Sequence, residues 1–188
     1  MLNEKRILIL GSGGSGKTTF TRKLAAKTQL PVYHLDALHW KPNWTAPNKA
    51  AWQYQVADLV QENSWIIDGS YFGTLNLRLP RAELIVFLDM PNWRCIWNIL
   101  KRRVQYAQFR GKIRPGMPPE CPETLYFSFL KWVWQYPRHD KPKVFEAIEK
   151  WKIPEANVLV FKSYEAMEKF LNALPEPENA EIVDLSDG

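Results

Sequence analysis

Eight residues near the start of the chain, Gly11-Ser12-Gly13-Gly14-Ser15-Gly16-Lys17-Thr18, have the spacing G-x-x-x-x-G-K-T. Glycine reaches backbone conformations closed to residues with a Cβ, so successive N–H groups in such a turn can point at one anion. The lysine ammonium then reaches the β- and γ-phosphates of a nucleotide, and the threonine hydroxyl is placed to ligate Mg²⁺. Gly11 to Thr19 therefore read as a phosphate-binding loop (P-loop) running into the positive end of a helix. ATP with Mg²⁺ is the expected occupant. A glycine-rich turn that merely joins a strand to a helix is the bland alternative, and the Lys17-Thr18 pair speaks against it.

Moving a phosphoryl group also requires a carboxylate near the metal or the accepting hydroxyl, and cations over the transferring phosphate. Three acids end or follow apolar runs: Asp36 after Val32 to Leu35, Asp68 after Trp65-Ile66-Ile67, and Asp89 after Leu84 to Leu88. Asp68 is the first choice for Mg²⁺ or for the acceptor proton, with a simple turn residue as its alternative. Gly69 behind it lets backbone approach a ligand. Asp36 contacts an acceptor or Mg²⁺, or else caps the next turn. Asp89 competes with Asp68 for the same role. His34 and His39 are given no role. Arg78 is a candidate on the short segment after Tyr71. The basic run from Lys101 through Arg102 and Arg103 continues into Arg110-Gly111-Lys112-Ile113-Arg114-Pro115-Gly116. A helix end complementing its own dipole would need fewer cations, so an arginine-bearing lid is expected there, with a solvated basic loop as the alternative.

The elements that must hold these groups alternate regularly. Apolar runs at 5–10, 30–35, 64–71, 83–89 and 157–161 read as buried strands. Helices are expected at 18–29, 47–63, 92–108, 122–136, 143–151 and from Ser163 to near Ala173. Leu125, Phe129, Trp132 and Tyr136 share one face of the fourth helix, as core or as a platform for stacking on a base. Strand–helix alternation of this kind implies an α/β three-layer sandwich around a five-stranded parallel sheet of the P-loop NTPase type. One domain over 1–174 is expected, with a lid-like insert at about 108–140. The stretch 175–188, with five acids and no basic residue, reads as a disordered tail. The chain's 188 residues carry a net charge of +5, so the body without that tail is near +10 and suits anionic partners. Neither a leader peptide nor a membrane span shows itself, and the two cysteines, Cys95 and Cys121, lack metal-ligand spacing. A reduced cytoplasmic setting is expected.

Taken together, several motifs carry a family likeness: the P-loop, His34-Leu35-Asp36 with Trp40-Lys41-Pro42-Asn43-Trp44, Trp65-Ile66-Ile67-Asp68-Gly69-Ser70-Tyr71, Leu88-Asp89-Met90-Pro91, the basic segment 101–114 and Cys121-Pro122-Glu123. From about Lys5 to Leu171 the chain resembles adenylate-kinase-like P-loop proteins of the DNA topology modulation (FlaR) type. That resemblance implies a CORE sheet, an acceptor site and an arginine-bearing lid. It implies that Asp68-Gly69 end the third strand near Mg²⁺, that Arg102 opens the lid, that Arg110 or Arg114 sits within it, and that Asp36 lies at the acceptor. Ser70-Tyr71 stand where adenylate kinases have Phe-Pro-Arg, which speaks against AMP as the acceptor.

The expected function is ATP-dependent phosphoryl transfer to a small molecule, a nucleotide or nucleoside among the candidates. Lys17, Asp68, Arg102, Arg110 and Arg114 would be catalytic, Asp36, Gly69, Tyr71 and Arg78 would meet the acceptor, and Thr18 with Asp68 would hold the metal. The alternative is a nucleotide-dependent DNA-binding protein that uses the basic face, although no DNA-reading motif occurs. A GTPase switch is weaker still, since no Asn-Lys-x-Asp motif is present.

Overall fold

A computed structural model describes residues 2–108, 120–121 and 126–176. Its centre is a five-stranded sheet in the order β2-β3-β1-β4-β5, with every pairing parallel. The strands are β1 (Arg6–Gly11), β2 (Val32–His34), β3 (Trp65–Asp68), β4 (Leu84–Leu88) and β5 (Asn157–Phe161). Four fall within the apolar runs expected from the sequence, and β1 runs one residue past its expected end at Leu10, to Gly11. Their ends are trimmed for local reasons. β3 stops at Asp68 because Gly69 takes φ +143°, outside the extended range, and β2 stops at His34 because Leu35 begins a helix.

Period-two alternation divides the core into two layers. Leu8, Leu10, Ile67, Ile85 and Phe87 face one side, where they meet Trp52 and Val56 of α3 (Lys49–Leu59), Leu75 of α4 (Leu75–Arg78) and Ile148 of α7 (Lys141–Trp151). Ile7, Ile9, Ile66, Val86 and Leu88 face the other. There they meet Phe20 and Leu24 of α1 (Lys17–Thr28), Cys95 and Ile99 of α5 (Asn92–Gln108) and Met167 of α8 (Tyr164–Ala173). Ile7, Leu8, Ile9 and Leu10 are all at 0% exposure. Each such side chain contributes about 1.5–3 kcal/mol by leaving water, which makes β1 a rigid base for the loop that follows it.

α3 is shorter than the expected 47–63. It begins where the Asn48 side chain accepts from Ala51 N at 2.8 Å, a cap that fixes the first turn. Ser163 caps α8 in the same way through Ala166 N at 3.1 Å. The fourth expected helix appears as α6 (Phe127–His139), which packs against α5. Within the expected insert, residues 109–119 and 122–125 lie outside the described residues, as do 177–188 of the acidic tail. No helix among the described residues is long and apolar enough to cross a membrane.

Candidate functional site at the carboxyl ends of the strands

In a parallel sheet covered on both faces, the strand ends open into a crevice. Here that crevice is a cleft of about 1140 Å³ lined by the P-loop, Asp36, Asp68, Gly69, Tyr71 and Arg102. The loop geometry follows from its glycines. Gly14 has φ +76°, and a Cβ there would sit 2.2 Å from the Cys95 carbonyl oxygen, so only glycine fits. Gly16 is the N-cap of α1, and no side chain caps that end, so the helix presents its first amides to the cleft. The Lys17 ammonium folds over the loop and donates to the carbonyls of Gly11 at 2.9 Å and Ser12 at 2.8 Å. The hydroxyls of Ser12 and Ser15 are buried without a hydrogen-bond partner among the described residues. A loop with inward amides, a poised ammonium and unsatisfied hydroxyls suits a polyphosphate.

Asp68 anchors the floor of the cleft. It is 5% exposed, and its Oδ2 accepts from Thr18 Oγ1 at 3.1 Å. A hydroxyl and a carboxylate meeting under an anion-binding loop suit Mg²⁺, which takes one or two protein oxygens and completes its shell with water and phosphate. The described residues hold no cluster of three or more His, Cys, Asp or Glu that could bind a metal. His34, given no role from the sequence, lies with its Nδ1 3.0 Å from the same Asp68 Oδ2. The cause is register: His34 is the direct partner of Asp68 between β2 and β3, and in-register neighbours project from the same face. Knowing that β2 pairs with β3 would have revealed this contact.

The other sequence candidates separate clearly. Asp36 lies on α2 (Leu35–His39), lines the cleft and accepts from the Tyr71 hydroxyl at 2.9 Å. Asp89 is taken out of competition by Lys141, whose Nζ is 2.6 Å from its Oδ2. Lys141 is thus pinned at the start of α7. Arg78 corrects an expectation. It does not meet the cleft: it is 0% exposed, and its guanidinium donates to the carbonyls of Gly69 at 2.7 Å, Tyr71 at 2.6 Å and Thr74 at 3.3 Å. Burial pushes its pKa down to about 9, so it remains a cation at neutral pH. Arg78 is a strut for the turn after β3 rather than a substrate contact. Arg102, one turn beyond Asn98 on α5, does line the cleft; Arg110 and Arg114 lie outside the described residues.

Two supporting side chains, Ser70 and Asn98, were given no role from the sequence. Ser70 Oγ donates to the Gly11 carbonyl at 2.6 Å and accepts from Gly11 N at 3.1 Å, joining the β3 turn to the P-loop. The Asn98 amide donates to the Gly14 carbonyl at 2.8 Å and contacts the Tyr164 hydroxyl at 2.7 Å. From α6, Phe129 presses its ring tip against Gly13, and its neighbour Trp132 stacks at 5.6 Å between centroids. Both rings line the cleft while Val133 and Tyr136 are buried, so the aromatic stripe serves as wall and core together. Cys95 is fully buried, and burial, partly offset by the Lys17 charge, raises its thiol to about 11.

No family model and no curated protein sequence matches the chain. Among solved structures, shikimate kinase from Acinetobacter baumannii in complex with shikimate superposes with a TM-score of 0.54 at 13% identity, over 90% of each chain. Shikimate kinase from Bacteroides thetaiotaomicron gives 0.51 at 15% identity, over 90% of this chain and 95% of that one. Deoxyadenosine kinase from M. mycoides with bound dATP gives 0.46 at 12%, over 88% and 97%. At these identities the likeness to the two shikimate kinases speaks for architecture: the chain has the fold seen in P-loop kinases.

Proposed function

We propose that this protein is an ATP-dependent kinase that transfers the γ-phosphate to a hydroxyl of a small molecule. The observation that carries the reading is the convergence of the P-loop, Lys17, the Thr18–Asp68 pair and Asp36 in one cleft at the strand ends. Catalysis would rest on positioning and charge. Loop amides and Lys17 hold the phosphates, Arg102 faces the transferring group, and Asp36 accepts a hydrogen bond from the acceptor. Thr18 and Asp68 would hold Mg²⁺, which neutralises phosphate charge. His34 and Ser70 orient Asp68 and the loop. Within this class, the sequence motifs favour the adenylate-kinase-like, DNA topology modulation group, with Arg110 and Arg114 as further lid cations.

A second reading has one observation behind it. Trp93 and Trp97 stand 57% and 64% exposed on α5, with Arg94 over the Trp93 ring at 5.1 Å. An outward aromatic and basic face of this kind suits nucleic acid. One experiment separates the two: ATP turnover with Mg²⁺ across small-molecule acceptors, with supercoiled DNA as a parallel sample. A phosphorylated small molecule supports the kinase. Turnover stimulated by DNA alone refutes it and favours the second reading.

A further inference from the structure

Helix α5 meets the cleft along a stripe and the P-loop at the start of that stripe. Asn98, Arg102, Gln105 and Tyr106 recur at helical spacing, and all four line the cleft. At the loop end, α5 lies directly against Gly14: a Cβ there would be 2.2 Å from the Cys95 carbonyl oxygen and 3.1 Å from Ile99 Cγ1. Packing of this kind sets how close the two backbones come. It does little to fix the helix along or about its own axis.

Two hydrogen bonds do fix it. Asn98 Nδ2 donates to the Gly14 carbonyl at 2.8 Å and to the Tyr164 hydroxyl at 2.7 Å. A carbonyl only accepts, so the amide nitrogen is the group that faces Gly14, and its second hydrogen serves Tyr164. Tyr164 opens α8, and its ring lies 3.2 Å from where a Cβ on Gly16 would be. One half-buried amide thus ties α5 to the loop and to α8 together. Hydrogen bonds weaken steeply when bent, so this pair holds the rotation of the α5 turn against the loop. Arg102 follows four residues later, on the same face and about 6 Å along the axis. Its height over the loop is therefore set by the Gly14 peptide.

We infer that Asn98 is a positioning residue for phosphoryl transfer, which clamps the Gly14 peptide to α5 and so sets the separation between the P-loop and Arg102; this rests on the kinase reading. A cation lowers the barrier only when it already stands where charge develops. Misplacement by about 1 Å costs up to ~100-fold in rate. Asn98 touches no reacting atom in this role and acts through Arg102. The other flank of the loop keeps its own ties, Ser70 on Gly11 and Lys17 on the Gly11 and Ser12 carbonyls. Binding of a ground-state nucleotide should therefore survive loss of the clamp.

The test uses two probes that require no known acceptor: Mg·ADP, and Mg·ADP with aluminium fluoride as a mimic of the transferring phosphoryl group. Calorimetry on the full chain gives Kd for each, and their ratio reports stabilisation specific to transfer. Asn98→Ala should lower that ratio about 10-fold while leaving Kd for ADP within about 3-fold. Asn98→Leu keeps the shape of the side chain without the amide and should do the same. Tyr164→Phe should do less, because the bond to Gly14 remains. In an Arg102→Ala background, adding Asn98→Ala should change the ratio by less than about 2-fold, since the group it positions is gone. Urea unfolding confirms that each variant is folded. Losses that multiply between Asn98 and Arg102 overturn the inference. So does an unchanged ratio in Asn98→Ala, or an equal weakening of ADP and the mimic, which makes Asn98 a support for the loop alone. Lack of any gain from aluminium fluoride in the unaltered chain would instead refute the kinase reading itself.

Discussion

Arg78 offers a sharp test because its two possible roles predict opposite phenotypes. Its guanidinium is fully buried and donates to three carbonyls, those of Gly69, Tyr71 and Thr74. Arg78→Ala leaves these acceptors in a cavity while also removing a buried charge, so the lower end of the range for charged hydrogen bonds applies. Three bonds at ~1.5 kcal/mol or slightly less give a loss of about 4 kcal/mol. In a chain of this size that lowers Tm by roughly 8–16 °C. Urea unfolding followed by circular dichroism measures it, and an unchanged denaturant slope would confirm that stability alone has moved. Arg78→Lys keeps the charge but not the planar fork and should recover less than half of the loss. A loss below about 1 kcal/mol, together with reduced turnover, would refute the strut and return Arg78 to substrate binding.

Four further outcomes are expected. Lys17→Ala should lower kcat about 10²–10³-fold with the fold intact by circular dichroism, the usual cost of removing one preorganised donor to a transferring group. Asp68→Asn should raise the Mg²⁺ concentration needed for half-maximal turnover about 10-fold or more, read from an Mg²⁺ titration at saturating ATP. Arg102→Ala should reduce turnover more than it weakens calorimetric ATP affinity, because its charge matters most as the phosphate moves. Glu83 gives an acid-side prediction. Partial burial opposes its ionisation, but hydrogen bonds from Lys5 N, the Arg6 side chain and Arg6 N hold its pKa below the ordinary 4.5. A depressed carboxylate stabilises the fold fully above its unfolded pKa, and that contribution disappears as pH falls through the folded value. Glu83→Gln should therefore flatten the loss of stability below about pH 4.5, measured by urea midpoints across the acid range.

Much of this was legible in the sequence, because the strands are buried on both faces and the loop is defined by glycine spacing. The runs at Ile7 to Leu10 and Leu84 to Leu88 announce themselves without reference to any other part of the chain. Asp68 could be read the same way, as an acid closing such a run. What was not legible depends on pairing. That His34 meets Asp68 follows from β2 lying beside β3, and that Asp89 is occupied follows from α7 delivering Lys141 to it. Arg78 misled for a related reason: a cation in a short irregular segment beside a site looks like a ligand contact. Nothing local reveals that three carbonyls turn inward to receive it. Asn98 and Ser70 likewise act by contacts 84 and 59 residues away in the chain.

Gly13 has a consequence for how this loop can vary. Unlike Gly14 it needs no left-handed backbone; a Cβ there would lie 2.7 Å from the Phe129 ring tip, with Val133 Cγ2 at 3.3 Å, so the ring would have to shift. The protein groups that impose this restriction come from α6. Positions 13 and 129 should evolve as a pair: an alanine at 13 becomes acceptable once Phe129 gives way to a shorter side chain such as leucine. In a double-mutant cycle Gly13→Ala and Phe129→Leu should each destabilise alone and partly rescue one another, a coupling absent between Phe129 and the left-handed Gly14. The nucleotide loop and the aromatic wall of the acceptor cleft are, in this respect, a single unit of inheritance.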